Sequence, residues 1–127
     1  MKEKEKIQLE YVFNKISKNI LWNYLTAPSG LSEWFADEVS VDEDRYFFTW
    51  AKNTQEAKKT GIANLSFIRF KWLDEDADIY FEFKINTTEV TGSIVLEITD
   101  FIDPDEREES INLWESQVKV LKRSLGI

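Results

Sequence analysis

The stretch Asp103–Leu125, DPDEREESINLWESQVKVLKRSL, decides the fold. Asp103-Pro104-Asp105-Glu106 has the form of a helix start. Asp accepts from free backbone N–H groups, Pro suits the first helical position, and a Glu three residues after the Asp completes a capping box. Ile111, Trp114, Val118, Leu121 and Leu125 then recur at steps of three and four, which places them on one face. Gly126 is a C-terminal stop, and Lys119, Lys122 and Arg123 suit the negative end of the helix dipole. The pattern predicts a helix over residues 104–125, roughly 33 Å long. Such a helix must lie on something, and burying its five large side chains contributes about 10 kcal/mol.

The partner is a sheet. Ile7, Leu9, Tyr11 and Phe13 alternate with polar residues in a first strand. Ser17 is placed to cap a short helix carrying Ile20, Leu21, Tyr24 and Leu25. Pro28 starts a second, with Leu31, Trp34 and Phe35 on its apolar side. Strands follow: Val39 and Val41; Tyr46, Phe48 and Trp50; residues 65–72; Ile79 to Ile85; Ile94 to Ile98. Residues 52–61 are polar and read as a turn and an edge strand guarded by lysines. Short spacing with turn signals at Asp74-Glu75-Asp76 and 86–92 implies an antiparallel meander. The expected class is therefore α+β, a single domain over residues 1–127: a curved antiparallel sheet of about six or seven strands around a long C-terminal helix, with two short helices after strand 1.

Composition bounds the chemistry. The chain has 127 residues and a net charge of −8, which argues against nucleic acid and anionic membrane surfaces as partners. Cys and His are absent, removing the thiol nucleophile, the commonest general base and the commonest zinc ligand. No Gly-rich phosphate loop or nucleophile set is present, and Asp74–Asp78 lacks the Gly and distant Glu of a calcium loop. The expectation is a non-enzymatic protein without metal or cofactor. A charged N-terminus and the absence of a long apolar run predict a cytoplasmic location without membrane insertion.

Certain words resemble a known family. They are Leu21-Trp22-Asn23-Tyr24-Leu25-Thr26-Ala27-Pro28-Ser29-Gly30-Leu31-Ser32-Glu33-Trp34-Phe35-Ala36-Asp37, Phe47-Phe48-Thr49-Trp50, Ile68-Arg69-Phe70-Lys71-Trp72, Thr99-Asp100-Phe101, Leu113-Trp114 and Leu121-Lys122. With the element order, they resemble the START-like superfamily (Bet v 1-like, SRPBCC, or helix-grip), and within it the branch of the activator of Hsp90 ATPase homologue. The resemblance spans nearly the whole chain. It implies a fold that serves lipid carriers, cyclases and chaperone-associated domains alike, so the fold leaves function open.

Aromatic residues are 14% of the chain, enough to fill a wide core or line a cavity. Tyr46, Phe48, Trp50, Ile68, Phe70, Trp72, Phe81 and Phe83 are expected to face the long helix. The candidate cavity lining comprises Phe48, Trp50, Ile68, Phe70, Phe81 and Phe83 from the sheet, with Trp34 and Phe35 as a gate. Trp114 and Val118 come from the long helix. Asp100 follows Ile94, Leu96 and Ile98 in phase, so it points inward near the helix start, bonding backbone N–H groups or a ligand's polar end. Glu82, Glu97, Arg69 and Lys71 fall on the opposite, solvated face, where cross-strand ion pairs account for them. The first functional expectation is binding of a small hydrophobic or amphipathic molecule, as in lipid binding, between sheet and helix. The alternative is a protein-interaction module, chaperone-associated or homodimeric, with a packed core and no ligand.

Overall fold

The computed structural model describes residues 3–76, 78–88 and 91–127. Residues 77, 89 and 90, within two expected turns, lie outside that set, as do Met1 and Lys2 of the charged N-terminus. Seven strands form one antiparallel sheet in the order β1-β7-β6-β5-β4-β3-β2. β1 is Glu5–Phe13, β2 Glu38–Asp42, β3 Arg45–Trp50, β4 Asn53–Ala63, β5 Phe67–Trp72, β6 Phe81–Thr87 and β7 Ile94–Ile102. Two short helices, α1 (Lys18–Thr26) and α2 (Pro28–Trp34), follow β1, and α3 (Arg107–Leu125) closes the chain.

The alternation read in the sequence is the inner face. Ile68, Phe70, Phe81, Phe83, Ile85, Ile94, Leu96 and Ile98 are all buried there, opposite the α3 row of Trp114, Val118 and Leu121. On the outer face Arg69 stands directly across from Glu82 and donates to it at 2.7 Å. Arg69 also lies over the Tyr80 ring, 4.0 Å from its centroid, so Glu82 is covered rather than solvated.

Two expectations need correction. Residues 53–63 form the longest strand, paired on both sides, so β4 is interior and the edges are β1 and β2. Its register shifts between Lys59 and Gly61, a bulge of the kind that bends a sheet. The long helix begins later than expected. Pro104–Glu106 form a 3-10 turn in which Glu106 N–H donates to the Asp103 carbonyl at 2.9 Å, and Asp103 makes no side-chain cap. The tighter turn closes first, so the capping box is not used. At the other end Gly126 adopts φ 79°, and its N–H reaches the Arg123 carbonyl. The left-handed conformation is what glycine tolerates there.

The helical hairpin seals one end of the sheet. Ser17 Oγ accepts from Ile20 N at 3.2 Å, capping α1. Pro28 opens α2 immediately after α1 ends, and Leu21, Leu25 and Leu31 are fully buried between them and the sheet. Gly30 permits that approach: a Cβ there would lie 2.5 Å from Tyr24 Cα and against the Asn23 carbonyl. α3 crosses the concave face with α2 and β1 as its nearest backbone neighbours. Its first half faces β3–β5 across a gap.

Candidate functional site

Phe35, just beyond α2, is the hub of the aromatic interior. Its ring lies 5.0–5.8 Å, centroid to centroid, from those of Trp34, Phe48, Trp50, Phe81, Phe83 and Trp114. Its carbonyl accepts from Trp50 Nε1 at 2.8 Å and Gln117 Nε2 at 3.1 Å, tying β3 to α3. A ring driven into the middle of the grip fills the space the sequence reading left for a ligand. Phe48, Ile68, Phe70, Phe81, Phe83, Trp34 and Val118 belong to the packed core and are not among the residues that line the cleft described next. Trp34 is packed at the end of the core, its Nε1 donating to the Tyr24 carbonyl at 2.8 Å.

The open space lies at the other end. A cleft of about 580 Å³ separates the first half of α3 from β3–β5. Trp50, Gln55 and Trp72 form the sheet wall, Ser110, Leu113, Trp114 and Gln117 the helix wall, and Phe35 and Asp100 the floor. Of the expected lining, Phe35, Trp50, Asp100 and Trp114 are brought together here. Trp72, Gln55, Leu113 and Gln117 are additions. Trp72 was signalled by its phase with Ile68 and Phe70, and Gln117 by its place one turn beyond Trp114. Gln55 carried no signal, because it sits on β4. The rim is charged: Lys4, Asp74, Glu75, Asp103 and Glu106.

Asp100 joins the strand phase to the helix. Its Oδ1 accepts from its neighbour Phe101 N at 2.8 Å, and its Oδ2 accepts from Trp114 Nε1 at 2.9 Å. Burial raises its pKa above the ordinary carboxylate value, against the opposing pull of the Trp114 and Phe101 hydrogen bonds and of Lys4. Lys4 itself is paired with Glu75 at 2.9 Å, which raises its pKa. The arrangement fixes the Trp114 indole against Phe35, the two rings stacked at 20°. Among the described residues, no buried side-chain nitrogen or oxygen lacks a hydrogen-bond partner.

The described helices include none long and apolar enough to cross a membrane. In comparisons with known proteins, no curated protein matches this chain. Among solved structures, BfR322 from Bacteroides fragilis is similar at 46% identity, covering 98% of this chain and 93% of that one, with a TM-score of 0.69. The Aha1 dimer from Colwellia psychrerythraea shares the fold at 16% identity and a TM-score of 0.79, with 97% of each chain covered. DynU16, from the dynemicin biosynthetic locus, shares it at 13% identity and a TM-score of 0.77; the match covers 95% of this chain and 47% of that one. The model of the START-like superfamily domain matches residues 1–127. With a bent seven-stranded sheet holding a C-terminal helix, this chain belongs to the START-like superfamily.

Proposed function

We propose that this domain binds a small amphipathic molecule, without chemical conversion, in the cleft between α3 and β3–β5. The observation that carries the reading is the cleft itself. Its volume of about 580 Å³ falls in the range of small-molecule sites, and its walls combine indole rings with a few polar groups. Leu113 supports it: at 61% exposure it is an apolar side chain standing in water at the mouth, where a ligand would cover it.

A binding role is favoured over catalysis by what Asp100 does. Burial accounts for its raised pKa, and its two oxygens are engaged with Phe101 and Trp114. Its electrostatic neighbour Lys4 is held by Glu75, and a carboxylate positioned to orient an indole is not by itself a catalytic set. Native mass spectrometry of protein purified from its own host tests the proposal. The expected result is a co-purified small molecule, lost in Trp50→Leu. Bare protein, together with no shift of the Trp50, Trp72 and Trp114 indole N–H resonances across a panel of amphiphiles, would overturn it.

A second reading has an observation of its own. Leu73, 53% exposed, adjoins the cleft residues Trp72 and Asp74, and Leu113 stands on the helix side. An exposed leucine in the cleft and a second one next to cleft residues in the chain suit docking of a protein segment or a second copy. Sedimentation separates the cases: concentration-dependent association abolished by Leu73→Ser and Leu113→Ser would favour this reading.

A further inference from the structure

The charge balance and the aromatic lining of the cleft narrow the class of ligand, on the premise that the cleft is a small-molecule site. Four of the side chains that line it already have a donor in use. Trp50 Nε1 and Gln117 Nε2 both serve the Phe35 carbonyl, Trp114 Nε1 serves Asp100, and Lys4 Nζ serves Glu75. Toward a ligand the cleft presents the π systems of three indoles and the oxygens of carboxylates, along with the neutral donors of Trp72, Gln55 and Ser110. The charged residues lining the cleft are Asp74, Glu75, Asp100, Asp103 and Glu106 against Lys4. An anionic headgroup would meet net repulsion here. A cation would meet aromatic rings, which attract it through their quadrupole, and carboxylates whose remaining lone pairs accept charge-assisted bonds.

We propose that the cleft selects cationic amphiphiles, molecules in which an ammonium group is joined to an apolar body of about the size of one or two rings. The body covers Leu113 and lies among Trp50, Trp72 and Trp114, while the ammonium sits on the acidic side, toward Asp100 and the rim carboxylates. The whole chain's net charge of −8 adds a long-range field of the same sign, which steers cations toward the mouth.

The test uses three probes of comparable size and opposite charge: benzyltrimethylammonium, neutral 4-tert-butylbenzyl alcohol, and 4-tert-butylbenzoate. Each is titrated into the full-length protein while the indole N–H resonances of Trp50, Trp72 and Trp114 are followed. The cation is expected to bind at least about tenfold more tightly than the alcohol, and the benzoate least well. The rim variant Asp74→Asn/Asp103→Asn/Glu106→Gln changes only partly or fully exposed groups outside the packed core. It is expected to lower cation affinity several-fold and to leave the alcohol unchanged. Cation binding also strengthens as rising pH removes the proton from Asp100. The groups facing the ammonium are Asp100 from β7, Asp103 and Glu106 before α3, Asp74 and Glu75 after β5, and Lys4 before β1. Asp100, whose pKa burial raises, gains negative charge as pH rises, while Lys4, whose pKa is raised by Glu75, keeps its charge. Alcohol binding as tight as the cation, or benzoate binding tightest, would overturn the charge selectivity while leaving the cleft a small-molecule site. No probe perturbing the three indoles up to millimolar concentration would overturn both.

Discussion

The two ends of the grip are built from the same residue types and behave oppositely. At the α1–α2 end, Trp34, Leu21, Leu25, Leu31 and Leu121 are at most 5% exposed, and the polar atoms turn inward to backbone: Trp34 Nε1 to Tyr24, Tyr46 Oη to Thr26. At the α3 N-terminal end, Trp50 and Trp72 stay half-buried, Leu113 is in water, and the rim is acidic. The sealed end has a helical hairpin wedged into it, whereas the open end has only the start of α3 standing over the sheet. Aromatic content therefore does not say where a cavity lies. What decides it is whether a third element fills the gap.

If that contrast is right, the largest losses of stability come from the sealed side and its hub. Phe35→Ala removes a ring in contact with six others, and about 3–5 kcal/mol of unfolding free energy is expected to go with it, measured by urea denaturation. Leu121→Ala, fully buried on α3, should cost about 2–5 kcal/mol. A loss below about 1 kcal/mol for Phe35→Ala would mean that the interior is loose and that the two ends do not differ.

Next in size is Gly30→Ala. The added methyl meets backbone atoms of Asn23 and Tyr24, which cannot rotate away, so α2 must move off α1. Overpacking of this kind costs about 1–3 kcal/mol. Because the hairpin also carries Phe35, the same variant is expected to shift the Trp50 and Gln117 side-chain N–H resonances that report on the Phe35 carbonyl. Unchanged resonances alongside lost stability would show that the sealed end does not position the open one.

How far the sequence disclosed this contrast follows from particular residues. The α3 stripe and the β6 and β7 alternations were legible because each element has one buried and one wet face, and Asp100 was found by the same phase. β4 was not. Only Ala57 in it is fully buried, and Gln55, although on the inner face, looks into the cleft, so apolar alternation is missing where the sheet borders water. The distribution of rings between core and cleft was also hidden. Phe48 and Trp50 sit two residues apart on one face, and Phe48 is sealed while Trp50 lines the opening. That difference depends on what packs over each ring from outside β3, and Phe35, which contacts both, comes from the end of α2.

A smaller effect is tied to pH. Asp100 has its pKa raised in the folded protein above its ordinary 3.8, mainly by burial. Between that value and the folded one, the native state holds a proton that the unfolded state has released, so stability falls as pH rises through the interval and levels off above it. Trp114→Phe removes a hydrogen bond that lowers this pKa, and so should extend the fall to higher pH. Asp100→Asn should abolish this contribution. Thermal unfolding from pH 4 to 7, taken as differences between wild type and each variant, isolates the effect from the other carboxylates. A wild-type difference of the opposite slope would mean that Asp100 is held charged by its partners, and that the floor of the cleft is more polar than its burial indicates.

The smallest expected change in stability is the sharpest comparison. Leu113 and Leu121 lie eight residues apart on α3, in the same helix and with the same side chain, one 61% exposed at the cleft and the other fully buried at the sealed end. Leu113→Ala removes little buried area and leaves no cavity, so unfolding free energy should move by no more than about 0.5 kcal/mol. Helix propensity favours Ala at the exposed site, which pushes the change toward zero or slightly positive. Its effect belongs to binding instead: losing the apolar lip should weaken an amphiphile held in the cleft while Leu121→Ala weakens the fold. If Leu113→Ala costs as much stability as Leu121→Ala, then α3 is gripped along its whole length, and the open end is closed in solution.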